Sequence, residues 1–96
     1  MEAEARVRTE KGSRYLQALC GHFSRKTRAN YTAEQGTVDF GVGSCELRAE
    51  QDALLLHADA PDEISLEQVK DVVGGHLERF AAKDELTVTW TDVQVT

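Results

Sequence analysis

Two of the three histidines occur in the same five-residue pattern, Gly-His-x-x-Arg. The pattern appears at residues 21–25 as GHFSR and at residues 75–79 as GHLER, each time within an apolar segment of helical spacing. Imidazole exchanges a proton near neutral pH and often binds metals, and the guanidinium fork of arginine binds carboxylates and phosphates. The candidate ligand contacts are therefore His22, His76, Arg25 and Arg79.

The surroundings of the two histidines leave more than one interpretation open. His76 lies on the apolar stripe of the second predicted helix, where a neutral imidazole can be buried if its N–H has a hydrogen-bond partner. His22 lies at the margin of the apolar stripe of the first helix. If an approximate internal two-fold relates the two helical segments, the two imidazoles approach each other and form a pH-sensitive or metal-capable site.

Other residues that could do chemistry have simpler interpretations. A zinc site built from Cys20, Cys45, His22 and His76 is disfavoured, because residues two apart on a helix point to different sides. Both cysteines lie on predicted core faces, where burial raises the thiol pKa and makes the sulfur inert. We predict reduced, buried thiols, no metal site, no catalytic residue and no cofactor. The chain also lacks a glycine-rich nucleotide-binding loop.

Two further features are interpreted structurally. The acids at the connection into the second helix, Asp59, Asp62 and Glu63, are favoured as charges that complement the helix dipole rather than as a hydrolytic pair. The Gly74-Gly75 pair costs a helix about 2 kcal/mol relative to two alanines. Close packing of the helix is favoured as the compensation over close approach of a ligand to the backbone.

Length and charge limit the function. The 96 residues predict one domain over residues 1–96, and no apolar stretch approaches the roughly 20 residues of a membrane span. The start of the chain lacks the features of a secretory signal, so we expect a cytoplasmic protein. The net charge of -6 argues against a nucleic-acid partner. Residues 1–28 hold seven basic and three acidic residues, which suits a basic surface for an anionic ligand or partner.

Periodicity predicts the secondary structure. Alternation predicts a strand over residues 3–9, helical spacing predicts a helix over 13–26, and residues 29–60 suggest four short strands. A predicted turn covers Glu34-Gln35-Gly36. Ser65 and Gln68 form a predicted capping box, with Ile64 and Val69 as a hydrophobic staple. The helix runs to Phe80, and alternation from Leu86 to Thr91 predicts a last strand.

The predicted fold class is α+β, with the element order β-α-β-β-β-β-α-β. An antiparallel sheet of about six strands would carry both helices on one face and form a two-layer sandwich. The other sheet face is polar and can simply face water. Phe80 and Trp90 are predicted core anchors.

Four separated segments resemble a known family. They lie at residues 14–26, 43–50, 76–81 and 86–90, and they include the clusters RYL, CELRAE, HLERFA and LTVTW. Together they closely resemble the bacterial domain of unknown function 2218. Related domains also occur joined to or beside siderophore-interacting flavoproteins, so the resemblance implies a role in iron acquisition. It supplies no catalytic residue.

The sequence therefore favours a non-enzymatic binding or accessory module for a small anionic ligand or a protein partner. One alternative is a self-associating module without a ligand, in which the polar sheet face or the basic first helix forms a homodimer. A small hydrolase or metal-dependent enzyme is the least favoured alternative.

Overall fold

The computed structural model describes residues 1–93 and gives the predicted order of elements. The elements are β1 (Glu2–Arg8), α1 (Gly12–Phe23), β2 (Arg28–Tyr31), β3 (Gln35–Asp39), β4 (Ser44–Ala49), β5 (Ala53–Asp59), α2 (Glu63–Phe80), a 3₁₀ turn (Ala82–Asp84) and β6 (Thr91–Val93).

The strands form one antiparallel sheet in the order β2-β3-β4-β5-β1-β6. Hairpins join β2 to β5 in sequence, and β1 pairs along its whole length with β5, from Glu2 opposite Asp59 to Arg8 opposite Ala53. This order does not follow the internal two-fold suggested by the sequence. β6 lies beside β1, whereas β2 lies at the opposite edge and pairs with β3.

Both helices cover the same face of the sheet, as predicted, and the core lies between the two layers. The alternation in each strand places apolar side chains on this face because successive side chains point to opposite sides. The fully buried side chains with the largest volumes are Leu16, Leu19, Leu54, Leu56, Leu77, Val38, Val69 and Val73. The α+β two-layer prediction is therefore confirmed.

Helix α1 ends at Phe23, three residues earlier than predicted. The side chain and backbone N–H of Thr27 both donate to the carbonyl of Phe23, at 2.6 and 2.9 Å. These bonds satisfy a helix-terminal carbonyl and turn the chain into β2. Consequently, Arg25 lies in the turn after the helix rather than on its surface.

The predicted start of α2 is wrong in detail. The N-cap is Asp62, whose carboxylate accepts a hydrogen bond from the backbone N–H of Ser65 at 2.7 Å. An aspartate can cap a helix as well as a serine can. The helix therefore begins three residues before the capping box predicted at Ser65. The staple is also absent, because Ile64 is 76% exposed while Val69 is buried.

Gly36 belongs to β3 and not to the predicted turn at residues 34–36. A Cβ atom at this position would lie 2.7 Å from the Sγ atom of Cys20 on α1. The glycine therefore allows the helix to approach the sheet closely. The turn falls one to two residues earlier, where the hydroxyl of Thr32 accepts from the N–H groups of Glu34 and Gln35.

The last strand lies later than predicted, over Thr91–Val93 instead of Leu86–Thr91. The apolar residues Leu86, Val88 and Trp90 still pack against the core. However, the backbone N–H of Val88 donates to the carboxylate of Glu78 at 2.9 Å, which ties this segment to α2. The alternation of residues 86–90 thus predicts burial correctly, but these residues do not pair with a neighbouring strand.

Candidate functional site

The ends of the two helices bring His22 and His76 together. Their ring centroids lie 4.9 Å apart, with an angle of 41° between the ring planes. His22 is in the last turn of α1, and His76 is in the second half of α2. The packing of α1 on α2 therefore brings the two Gly-His-x-x-Arg patterns into contact through their imidazoles. The contact was expected from an internal two-fold, but the strand order of the sheet does not have that symmetry.

Phenylalanines surround the imidazole pair. Phe23 lies edge-on to both rings, with centroid distances of 5.6 Å to His22 and 5.1 Å to His76. Phe80 lies edge-on to His22 at 5.6 Å, and Phe40 packs against Phe23 at 5.1 Å. These edge-to-face contacts hold the aromatic rings in defined orientations.

The prediction that Phe80 is a core anchor is wrong, because its side chain is 39% exposed. Trp90, by contrast, is half-buried and packs against the core. The apolar face of α2 is narrower than the sequence suggests, so Phe80 falls at the edge of the core. There it forms one wall of the imidazole cluster.

The hydrogen bonding of His76 fixes part of its chemistry. Its Nδ1 atom lies 2.7 Å from the carbonyl oxygen of Val72, one turn earlier in α2. A carbonyl only accepts hydrogen bonds, so Nδ1 carries the proton, and Nε2 forms no hydrogen bond with any of residues 1–93. In the neutral ring Nε2 accepts a hydrogen bond, and in the protonated ring it donates one. The pair can thus bind a donor, an anion or a metal ion according to its protonation.

The two candidate arginines lie close in sequence to the imidazoles. Arg79 is in the last turn of α2, and Arg25 follows α1; both side chains are exposed. Within residues 1–93 neither guanidinium forms a hydrogen bond or an ion pair. The structure therefore joins His22 to His76 and leaves Arg25 and Arg79 as cations at the ends of the same two helices.

Both cysteines are buried thiols, as predicted. Burial raises the pKa of Cys20 to about 11 and that of Cys45 to about 12. Thiols with such pKa values are protonated at neutral pH and are poor nucleophiles. No group of three or more metal-binding side chains converges within the described part of the chain, and the four-residue zinc set does not form there.

The glycine pair in α2 has two different environments. A Cβ atom at Gly74 would lie 3.1 Å from the indole nitrogen of Trp90, so close packing accounts for this glycine. A Cβ atom at Gly75 would have no neighbour within 4 Å among residues 1–93. Packing therefore explains only the first glycine, and the second leaves bare backbone beside His76.

Asp62 acts as the helix cap described above, and this confirms its structural interpretation. The hydrogen bond from the backbone N–H of Ser65 holds the pKa of the Asp62 carboxyl below its usual range. A carboxylate at a helix N-terminus is also favoured by the helix dipole.

The sequence did not predict the hydrogen-bonded site around the third histidine, His57. His57, on the face of β5 away from the helices, lies between two carboxylates of β1. Its Nε2 is 2.6 Å from Glu2, and its Nδ1 is 3.0 Å from Glu4. Burial lowers the pKa of His57, but the hydrogen bonds and negative charges of the two glutamates outweigh it, so the net shift is upward. The outward position of His57 was readable from alternation, whereas its partners depend on the β1–β5 register.

No helix in residues 1–93 combines the length and apolar character needed to cross a membrane.

Comparison with known proteins agrees with the resemblance seen in the sequence. Residues 4–91 match the model of the DUF2218 family, described as an uncharacterized protein conserved in bacteria. The fold is similar to the NMR structure of PA4090 from Pseudomonas aeruginosa, with 37% sequence identity and a TM-score of 0.82 over 98% of both chains. Comparison with curated proteins gave no match.

Proposed function

The chain belongs to the DUF2218 family, and we propose that it is a non-enzymatic binding module whose ligand contacts the imidazole pair. The observation that carries this proposal is the 4.9 Å separation of the His22 and His76 rings. Two imidazoles at contact distance on separate helices give one ligand two adjustable hydrogen-bonding groups. The exposed position of His22 leaves the pair accessible from solvent.

The chemistry around the pair favours an anionic ligand with aromatic rings. Arg25 and Arg79 add positive charge at the same helix ends, and their guanidinium groups are not used by other residues between 1 and 93. Phe80 is 39% exposed beside His22 and suits an aromatic contact with a planar ring, while the buried Phe23 supports the imidazoles from below. A ferric catecholate complex, which is polyanionic and aromatic, has these properties.

The association of related domains with siderophore-interacting flavoproteins also supports an iron chelate as the ligand. In this proposal the module holds or delivers the chelate and leaves the redox step to another protein.

A suitable probe is the gallium(III) complex of 2,3-dihydroxybenzoate, in which gallium replaces iron and remains diamagnetic. We expect isothermal titration calorimetry to show binding that falls tenfold or more, about 1.4 kcal/mol, in the double variant His22→Ala/His76→Ala. The double variant Arg25→Gln/Arg79→Gln should also weaken binding, because it removes two cations near the ligand.

The third histidine provides the matched control, since His57 lies on the opposite side of the sheet. The variant His57→Gln should bind the complex as the wild type does, and circular dichroism should show that all variants are folded. Equal affinity in the wild type and the imidazole double variant would refute the proposed site. Native mass spectrometry of untagged protein from an iron-replete bacterial host would reveal any ligand already bound.

Exposed apolar residues on α2 favour a second candidate function, the formation of a homodimer. Ile64 is 76% exposed and Val72 is 37% exposed, and the helical period places the two side chains about 80° apart around α2. Two copies could bury these residues against each other in an α2–α2 contact. Sedimentation would then show a concentration-dependent dimer that Ile64→Ser dissociates, and a monomer at high concentration would exclude this candidate.

A further inference from the structure

The face of the sheet opposite the helices contains a groove of about 750 Å³. Its walls come from three consecutive residues in each of β1, β3, β4 and β5, with Thr89 and Thr91 at one edge. The groove is about half open to solvent, and its volume falls within the range of small-molecule sites in proteins. The sequence predicts a polar face here but no groove, because the groove depends on the shape of the folded sheet.

Charged side chains in the groove divide into partnered and unpartnered residues. Glu4 bonds to His57 at 3.0 Å, and Arg6 forms ion pairs at 3.1 and 3.4 Å with two carboxylates beyond the end of β4. In contrast, the side chains of Glu46 and Arg48 form no hydrogen bond or ion pair with any of residues 1–93. One negative and one positive charge therefore face the groove without a partner in this part of the chain.

Strand register explains why Glu46 lacks a partner. Its cross-strand neighbours are Thr37 and His57, and His57 is already held by Glu2 and Glu4. The neutral hydroxyl of Thr37 carries no opposing charge.

Strand register also leaves Arg48 without a charged cross-strand neighbour, and the strand rise sets the distance between the Cα atoms of Arg48 and Glu46. The cross-strand neighbours of Arg48 are Gln35 and Leu55, which are both uncharged. Residues 46 and 48 lie on the same face of β4 with one residue between them, so their Cα atoms are about 7 Å apart. The groove therefore carries opposite charges on two side chains whose Cα atoms lie about 7 Å apart along one strand.

We propose that this groove binds a short peptide with free termini, the ammonium group on Glu46 and the carboxylate on Arg48. Two extended residues span about 7 Å, which matches the spacing of the Glu46 and Arg48 Cα atoms. A guanidinium can hold a carboxylate through two parallel hydrogen bonds. Leu55 supplies an apolar floor, and Gln35 and Thr37 offer donors and acceptors to the peptide amide.

The probe for this proposal is the dipeptide alanylalanine, titrated into labelled protein and followed by NMR. We expect binding in the millimolar range or tighter, with shifts centred on β4 and β5. Arg48→Gln and Glu46→Gln should each weaken binding about tenfold or more, because each removes one charged partner. Arg8→Gln changes an exposed arginine of the neighbouring β1 outside the groove and should leave affinity unchanged.

Chemically capped dipeptides separate charge recognition from nonspecific contact. Acetylation of the amino end should abolish the contribution of Glu46, and amidation of the carboxyl end should abolish that of Arg48. The proposal is overturned if alanylalanine does not bind, if the capped forms bind equally well, or if both substitutions leave its affinity unchanged. Unchanged thermal unfolding midpoints of the variants would confirm that these comparisons concern folded protein.

Discussion

His57 illustrates how a single side chain acquires its environment from strand register. It lies between Glu2 and Glu4 of β1, and Glu46 of β4 lies opposite it on the other side. Burial alone lowers the pKa of His57, but the glutamates raise it above its ordinary value. The protonated ring is therefore bound more favourably in the folded state than in the unfolded state.

This upward shift predicts a pH-dependent contribution to stability. The contribution is complete below the unfolded-state pKa of about 6.5 and disappears as pH rises through the higher folded-state pKa. We therefore expect the wild type to exceed His57→Gln in free energy of unfolding by more at about pH 5.5 than at about pH 9. Urea denaturation at both pH values measures this difference.

A second variant provides the control for the His57 prediction. Replacing both glutamates, as Glu2→Gln/Glu4→Gln, should remove the same pH dependence while leaving the imidazole present. If the wild type and His57→Gln differ equally at both pH values, Glu2 and Glu4 do not stabilise the His57 imidazolium.

The glycine pair of α2 gives a prediction with an internal control. Gly75→Ala should raise the free energy of unfolding by about 1 kcal/mol, because alanine favours the helix and meets no neighbour. Gly74→Ala brings a Cβ atom to 3.1 Å from the Trp90 indole nitrogen, so the indole must shift. The cost of this shift offsets the gain in helix propensity. Chemical denaturation should rank Gly75→Ala as the more stable variant, and the reverse order would contradict the packing described.

At the scale of elements, the first turn of α2 shows where local sequence rules compete. Two residue patterns could begin this helix, one at Asp62 and one at Ser65, and the helix begins with the first. The choice leaves Ile64 exposed and Leu66 buried. A rule based on side-chain pairs cannot distinguish two caps of similar strength, so the boundary depends on how the chain leaves β5.

Stability measurements can test this helix start directly. Ile64→Ala should change the free energy of unfolding by no more than about 0.5 kcal/mol, because the side chain is exposed. Leu66→Ala should cost about 2–5 kcal/mol through loss of buried contacts. A large loss in Ile64→Ala would instead support the hydrophobic staple predicted from the sequence.

The elements themselves were largely predictable because their periodicity records burial. Alternation identified β1 and the four strands from β2 to β5, and helical spacing identified both helices. The segment from Leu86 to Trp90 shows the limit of this reasoning. Its alternating burial is real, but the bond from Val88 to Glu78 on α2 replaces strand pairing. Such a long-range hydrogen bond leaves no local sequence signal.

For the whole molecule, the α+β sandwich followed from the order of elements, whereas the chemistry depends on contacts between distant residues. The repeated Gly-His pattern selected His22 and His76, and the packing of α1 on α2 places them together. The groove around Glu46 and Arg48 had no comparable signal, because it depends on sheet shape and register. The two proposed sites consequently lie on opposite sides of the sheet.

The most direct test of the proposed function maps the gallium(III)–2,3-dihydroxybenzoate complex on the wild-type protein by NMR. The account predicts shifts concentrated at residues 21–25 and 75–80, which disappear in His22→Ala/His76→Ala and persist in His57→Gln. Shifts centred elsewhere, or shifts that persist in the imidazole double variant, would contradict it.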